Sequence, residues 1–309
     1  MVAELEADVD GEDAVRIGDR HLDRDRPRST SLSSRAVPEV PIPRRIWFLW
    51  LQGLDDAPEV VRRCHRSWVE RNPGWEVQVL TSQGVNDWAP GALEAGWSQR
   101  LPPAQQADLV RLLLLVGYGG LWVDATCFCA QSLDSWLHQV AAEGLFAFAR
   151  PAADRILASW FLAAVPAHPL VRALQDQLCE YWQQSDPHYR SGTVSARALE
   201  DLVRWHLVPH RVWFHPAVWR TLGARPYFAF HYMAERVLAA DPALAKLWEA
   251  VPKVSADGPH RPQSVGLDRD LTPPVRHVLA TEASPVYKLT WKRSATVMPG
   301  SVLAWVLDR

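Results

Sequence analysis

Four cysteines in 309 residues, at positions 64, 127, 129 and 179, are too few and too scattered for a disulfide-stapled fold. Cys127 and Cys129 are two apart on an expected strand and share a face. No second pair or ligating histidine completes a zinc pattern, so buried thiols in a reducing compartment are expected. A long apolar run is also missing. The longest, Leu112 to Val123, is broken by glycines and shorter than the roughly 20 residues a membrane-spanning helix needs. No basic segment followed by an apolar one opens the chain. A secretory leader is therefore not expected, and a cytoplasmic location is, with peripheral attachment at the inner face of a membrane left open. Nor is there an excess of charge. The 33 Lys and Arg against 35 Asp and Glu leave a formal net charge of −2, which argues against an electrostatically driven nucleic-acid binder.

What is present is apolar and aromatic. Hydrophobic residues make up 48% of the chain, enough for a substantial core in one large domain or two modest ones. Sixteen tryptophans are unusual, and their flat faces with one N–H donor suit core packing or stacking on sugars and bases. Residues 1–40 are acidic, then mixed, then rich in Arg and Ser, and read as a disordered tail. From Pro41 onward the pattern alternates. Arg45 to Trp50 (RIWFLW) reads as a buried strand, Pro58 to Arg71 as an amphipathic helix and Trp75 to Leu80 as a strand. That opening is the start of a parallel α/β sheet. Gly144 to Ala149 reads as a further strand. Helices are expected over Leu170 to Trp182, Ala196 to Val208 and Tyr227 to Leu238, within a helical insertion spanning roughly 152–250. The proline-rich stretch 252–274 predicts an irregular crossing, and roughly 280–309 a closing segment.

The most informative stretch is Gln105 to Ala130, QQADLVRLLLLVGYGGLWVDATCFCA. Asp108 and Arg111 are three apart and share a face of the expected helix. A carboxylate acceptor beside a forked guanidinium donor matches the vicinal hydroxyls of a sugar. Gly117, Gly119 and Gly120 stop the helix and turn the backbone. Leu121, Trp122 and Val123 then carry Asp124 to the C-terminal end of a strand, where open α/β sheets place their ligands.

With these residues in view, the chain resembles the capsular polysaccharide synthesis family, which is related to the DXD-containing glycosyltransferase family 32 and to clostridial glucosylating toxins. The resemblance is carried by IPRRIWFLWLQG (42–53), SWVERNPGWEVQVL (67–80), ADLVRLLLLVGYGGLWVDATCFC (107–129) and PVYKLTWK (285–292), with PYFAFHYMAERV (226–237) as a weaker block. It implies a GT-A fold over 41–309: a Rossmann-like α/β sandwich with a mostly parallel central sheet and additional helices. The implied activity is that of a hexosyltransferase moving a sugar from a nucleotide-diphosphate donor to a hydroxyl acceptor such as a polysaccharide. Retention of anomeric configuration, by front-face attack with the leaving phosphate taking the acceptor proton, is also implied.

The resemblance assigns Asp108, Arg111 and Asp124 as catalytic. On the donor side it implies Trp47, stacked on the base, together with Trp50, Gln52, Gly119, Gly120, Thr126, Lys288, Trp291 and Lys292. His231 and Glu235, four apart on one helical face, are candidates for the acceptor side. A divalent cation, Mn²⁺ or Mg²⁺, is implied as the Lewis acid for the departing diphosphate. Here the motif reads Asp124-Ala125-Thr126, and a neutral hydroxyl replaces the second carboxylate. Either Asp124, water and the phosphates hold the metal, or Lys288 and Lys292 replace it. Loss of that acid also leaves a non-catalytic sugar-nucleotide or glycan-binding module as the alternative reading.

Overall fold

In the computed structural model, residues 41–309 are described apart from 95, 185–193, 206, 222–224, 282 and 293–296. The tail expected over 1–40 lies outside the described residues. The first β-α-β unit forms as its periodicity predicts: β1 (Arg45–Leu49), α1 (Glu59–Arg71) and β2 (Glu76–Leu80). Val60, Val61, Cys64 and Trp68 recur at helical spacing and form the buried face of α1. After the short α2 (Gly84–Trp88), α3 (Pro103–Tyr118) starts on a proline, which lacks only an N–H that the first turn would leave unpaired anyway. β3 (Gly120–Val123) and β4 (Cys127–Cys129) follow. Next come the short α4 (Leu137–Val140) and a hairpin of β5 (Leu145–Ala152) and β6 (Arg155–Ala164).

The five-stranded sheet has the order β2-β1-β3-β6-β5. β1 pairs in parallel with β2 and β3, and β6 runs antiparallel to both β3 and β5. Four of the five strands therefore share a direction, giving the mixed α/β architecture with a mostly parallel sheet that the sequence implies. The connection from β1 leads outward to β2, and the next one returns to β3 on the other side. The C-terminal ends of β1 and β3 thus flank a topological switch point, the usual ligand position in an open α/β sheet.

One stretch differs in kind from its expectation. RILASWFLAA (155–164) lies in the range expected to be helical, yet it is the sheet's longest strand. Its apolar run is compatible with a buried helix or a buried strand, and pairing on both sides decides for the strand. The helical part begins later, with α5 (Pro169–Gln183), α6 (Val194–Arg204), α7 (Ala229–Ala240) and α8 (Pro242–Ala250). The supposedly irregular crossing contains α9 (Asp257–Val265), and α10 (Pro273–Thr281) begins on its last two prolines. Pro259 sits in the first turn of α9, where no intrahelical N–H is needed, so only Pro262 removes a bond. β7 (Val286–Lys288) pairs antiparallel with β4, and α11 (Val302–Leu307) ends the chain. No helix among the described residues is long and apolar enough to cross a membrane.

β4 is fixed outside the main sheet by α1. The Trp68 indole donates to the Cys127 carbonyl at 2.7 Å, and the Cys129 N–H donates to the Ser67 hydroxyl at 2.9 Å. All four cysteines are free thiols; Cys64, Cys127 and Cys129 are buried and Cys179 is partly so. Burial raises the Cys127 thiol to about 12, so it packs as an apolar group.

The glycine turn between α3 and β3 is a packing device. Gly119 has φ +65° and Gly120 φ +97°, and a Cβ on Gly120 would lie 2.6 Å from the Arg45 carbonyl oxygen. Gly120→Ala is expected to cost roughly 1–3 kcal/mol from backbone strain, with the clash against β1 added. Urea unfolding reads this as a lower midpoint, and an unchanged midpoint would contradict it.

Candidate active site

Asp124 follows β3 directly, and its own backbone shapes the turn. Its N–H donates to the Trp160 carbonyl of β6 at 2.9 Å, and its carbonyl accepts from the Cys127 N–H at 2.9 Å. This turn brings the buried Thr126 beside the Asp124 carboxylate. Both carboxylate oxygens are engaged. Oδ1 accepts from Arg111 Nη2 and from the Trp122 indole, each at 3.0 Å, and Oδ2 accepts from Lys288 Nζ at 2.9 Å. The same ammonium donates to Thr126 Oγ1 at 2.9 Å.

Lys288 reaches this position on a strand. β7 pairs Lys288 with Cys127, Leu289 N–H donates to the Thr126 carbonyl at 2.9 Å, and Gln263 donates to the Lys288 carbonyl at 3.0 Å. Arg111 is 3% exposed and is the hub of the cluster. It donates to Asp108 as well as Asp124, and its guanidinium lies 4.8 Å from the Trp122 ring centre and 5.4 Å from that of Phe230.

The two aspartates share Arg111 but differ in their other company. Burial pushes both carboxyls up. For Asp108, with Arg111 as its one cation and Asp124 repelling it, burial prevails and the pKa rises to about 6. For Asp124, Lys288 and Arg111 together outweigh burial and hold the carboxyl well below the usual range, so it stays ionised. His231, on α7, is buried in the same neighbourhood. Burial, with Arg155 and Arg111 nearby, keeps its imidazole neutral at physiological pH. His231 Nδ1 and Arg111 Nε are both buried without a hydrogen-bond partner among the described residues. Leaving such atoms unsatisfied costs about 1–3 kcal/mol each, which a ligand with hydroxyl groups would relieve.

These side chains do not fit the dication that the resemblance implies. Arg111, Trp122 and Lys288 already occupy the Asp124 oxygens, and Thr126 offers a neutral hydroxyl that Lys288 also holds. Among the described residues no three His, Cys, Asp or Glu side chains are grouped to bind a metal. A dication about 4 Å from the Lys288 ammonium would be repelled by roughly 8 kcal/mol at an effective dielectric of about 20, twice the figure for two unit charges.

The remaining expected residues divide. Trp50 and Trp291 meet edge to face with ring centres 5.9 Å apart at the C-terminal end of β1, a half-buried aromatic corner near Asp124. Gln52 and Lys292 are exposed, on the turn after β1 and on the segment after β7. Trp47 is placed differently from the stacking role implied for it. It is 0% exposed, its indole donates to the Gly119 carbonyl at 2.8 Å, and Trp88 and Tyr118 pack on it, so no ring face is open to a base. Gly119 and Gly120 likewise lie at the start of β3, the opposite end from Asp124, where they serve the turn. Glu235 takes no part in a pair with His231. It lies 3.3 Å from His210 Nε2.

Sequence reasoning passed over Trp122, Phe230, Asp154, Arg155 and Tyr232. The Tyr232 hydroxyl donates to Asp154 at 2.7 Å, Arg155 donates to the same carboxylate at 3.2 Å, and Arg155 adjoins His231. Only Trp122 had a usable signal: two residues before Asp124 on a strand, it shares that residue's face.

The profile of the family described as capsular polysaccharide synthesis protein matches residues 22–205, which include Asp108, Arg111 and Asp124 but not His231 or Lys288. A glycosyltransferase of Aspergillus fumigatus is 34% identical over 104 residues, 30% of this chain and 27% of the relative. A putative glycosyltransferase of Saccharomyces cerevisiae is 25% identical over 163 residues, 46% of this chain and 40% of the relative. The matches thus span about a quarter to two-fifths of these curated relatives. Among solved structures, the PaToxG glycosyltransferase aligns with a TM-score of 0.41 at 13% identity, covering 80% of this chain and 86% of its own.

Proposed function

Because the chain belongs to the capsular polysaccharide synthesis protein family, we propose that it is a glycosyltransferase of GT-A type. It would move a hexose from a nucleotide-diphosphate sugar to a hydroxyl of a glycan or other acceptor. One observation carries this reading: Asp108, Arg111, Asp124 and Lys288 converge at the C-terminal end of β3, where open α/β sheets place their ligands. Asp108 accepts from donor-sugar hydroxyls and Arg111 donates to them. Lys288, held by Asp124, faces the diphosphate, and the Trp50–Trp291 corner is the platform for the base. His231, neutral and unpaired at Nδ1, lines the sugar side. Charge that builds on the leaving diphosphate meets a fixed cation. The acceptor oxygen forms its bond to C1 on the face the phosphate leaves, and its proton passes to a phosphate oxygen, with retention. We place the reaction in the cytoplasm.

The test is release of nucleoside diphosphate from a panel of UDP- and GDP-sugars by the full chain. Release from none of them would count against transfer. Thr126 in place of an acid is the observation that favours a binding module instead. Donor binding without any hydrolysis is the result that would select it.

A pH dependence follows from Asp108. It must be ionised to accept a sugar hydroxyl, and its pKa is raised to about 6. As pH falls through 6 the protonated fraction grows, so kcat/KM is expected to fall about tenfold per unit below that point. Asp124 stays ionised and His231 neutral across the same window, so neither produces the limb. A profile flat down to pH 5, or an unchanged limb in Asp108→Asn, would contradict the assignment.

A further inference from the structure

We propose that the Lys288 ammonium takes the place of the divalent cation, so that this enzyme binds and uses its donor without a metal. The inference rests on the donor-site reading above. Its basis is the pairing of a loss with a gain in one place. The motif position that lacks a carboxylate, Thr126, is bonded to the one lysine that also bonds the remaining acid, each at 2.9 Å.

The charges agree. Asp108, Asp124, Arg111 and Lys288 sum to zero when all are ionised. A site with one more carboxylate and a dication in place of the lysine sums to zero as well. In this chain a dication added to the existing set would leave two uncompensated positive charges beside an ammonium.

The position of Lys288 is built in. The β4–β7 pairing, the Leu289–Thr126 backbone bond and Gln263 fix its backbone, and α1 fixes β4 in turn. A cation carried on such a frame needs little reorganisation as charge develops. A phosphate oxyanion is a stronger acceptor than the Thr126 hydroxyl, so the ammonium can exchange that neutral bond for the diphosphate while keeping Asp124. In the transfer step the C1–O bond to phosphate breaks with its electron pair on the phosphate oxygen. The acceptor oxygen bonds C1, its proton goes to the phosphate, and Lys288 stays protonated throughout.

The test uses the whole 309-residue chain, with UDP and GDP as probes. Calorimetric titration is run after exhaustive dialysis against EDTA and again with added Mn²⁺. The two dissociation constants are expected to agree within about threefold. Lys288→Met should weaken binding about tenfold to a hundredfold, without rescue by Mn²⁺, while Lys288→Arg retains EDTA-resistant binding. If Lys288→Met does not fold, the wild-type comparison and the spectrum of Mn²⁺ still decide. The six-line paramagnetic resonance signal of free Mn²⁺ should be no weaker with protein and nucleotide together than with the same nucleotide alone. Binding that EDTA abolishes and Mn²⁺ restores, or a signal lost in proportion to protein, would overturn the proposal. Absence of nucleotide binding under both conditions would overturn the donor-site reading and this inference with it.

Discussion

Asp124→Asn is expected to lower turnover by about 10²–10³-fold while the chain still folds, the scale seen when one preorganised electrostatic group is removed. The substitution keeps the shape and one acceptor oxygen, so the Trp122 and Arg111 bonds to Oδ1 retain a partner. What it removes is the charge that holds the Lys288 ammonium and one side of Arg111. Lys288 then keeps the neutral Thr126 hydroxyl but loses its carboxylate anchor in the motif, and its position over the diphosphate loosens. Arg111 still has Asp108. Circular dichroism should therefore be native-like, and the loss should fall mainly on kcat. Turnover within a few-fold of the wild type would remove Asp124 from the mechanism.

Arg111→Ala is expected to be the most damaging substitution for stability, at about 3–5 kcal/mol, the cost of breaking a buried ion pair from one side. Arg111 is buried, serves two carboxylates and fills the space between Trp122 and Phe230. Its removal leaves Asp108 buried with no cation and facing Asp124, so the Asp108 pKa rises above its present value of about 6. The sign of the pH effect follows. An acid whose folded pKa exceeds its unfolded one binds more protons when folded, so stability rises as pH falls through the folded pKa. Arg111→Ala should therefore recover part of its loss between pH 7 and 5, and Asp108→Asn in the same chain should restore part of it at pH 7. A variant whose melting temperature matched the wild type, or which lost stability uniformly with pH, would show that Arg111 is not the hub described.

Sequence alone disclosed the local part of this site. Asp108 and Arg111 are fixed by helical spacing and Asp124 by its place at a strand end, and neither needs information about distant chain. Lys288 lies 164 residues from Asp124 in the chain, and only the resemblance pointed to it. That it bonds both Asp124 and Thr126 depends on β7 pairing with β4, which no periodicity encodes. Trp47 shows the converse limit. Its place on the first strand is legible, but whether a neighbour covers its ring depends on Trp88 and Tyr118 folding onto it. RILASWFLAA was ambiguous for a related reason, since a run apolar on all sides takes its conformation from its partners. Eight of the sixteen tryptophans are buried in the core and seven are partly buried; only Trp205, at 67%, is exposed.

The central claim is that the cluster at the end of β3 holds a nucleotide-sugar, and a crystal structure with the hydrolysed donor or its nucleoside diphosphate bound tests it most directly. Diphosphate oxygens are expected about 2.7–3.2 Å from Lys288 Nζ, with hexose hydroxyls on Asp108 and Arg111. A concavity of about 300 Å³ lies between α1 and the C-terminal helix, is lined by Arg63, Arg66, Glu70, Arg71, Asp308 and Arg309, and shares no residue with the cluster. Nucleotide bound there, with the contacts among Asp108, Arg111, Asp124 and Lys288 undisturbed, would contradict the account.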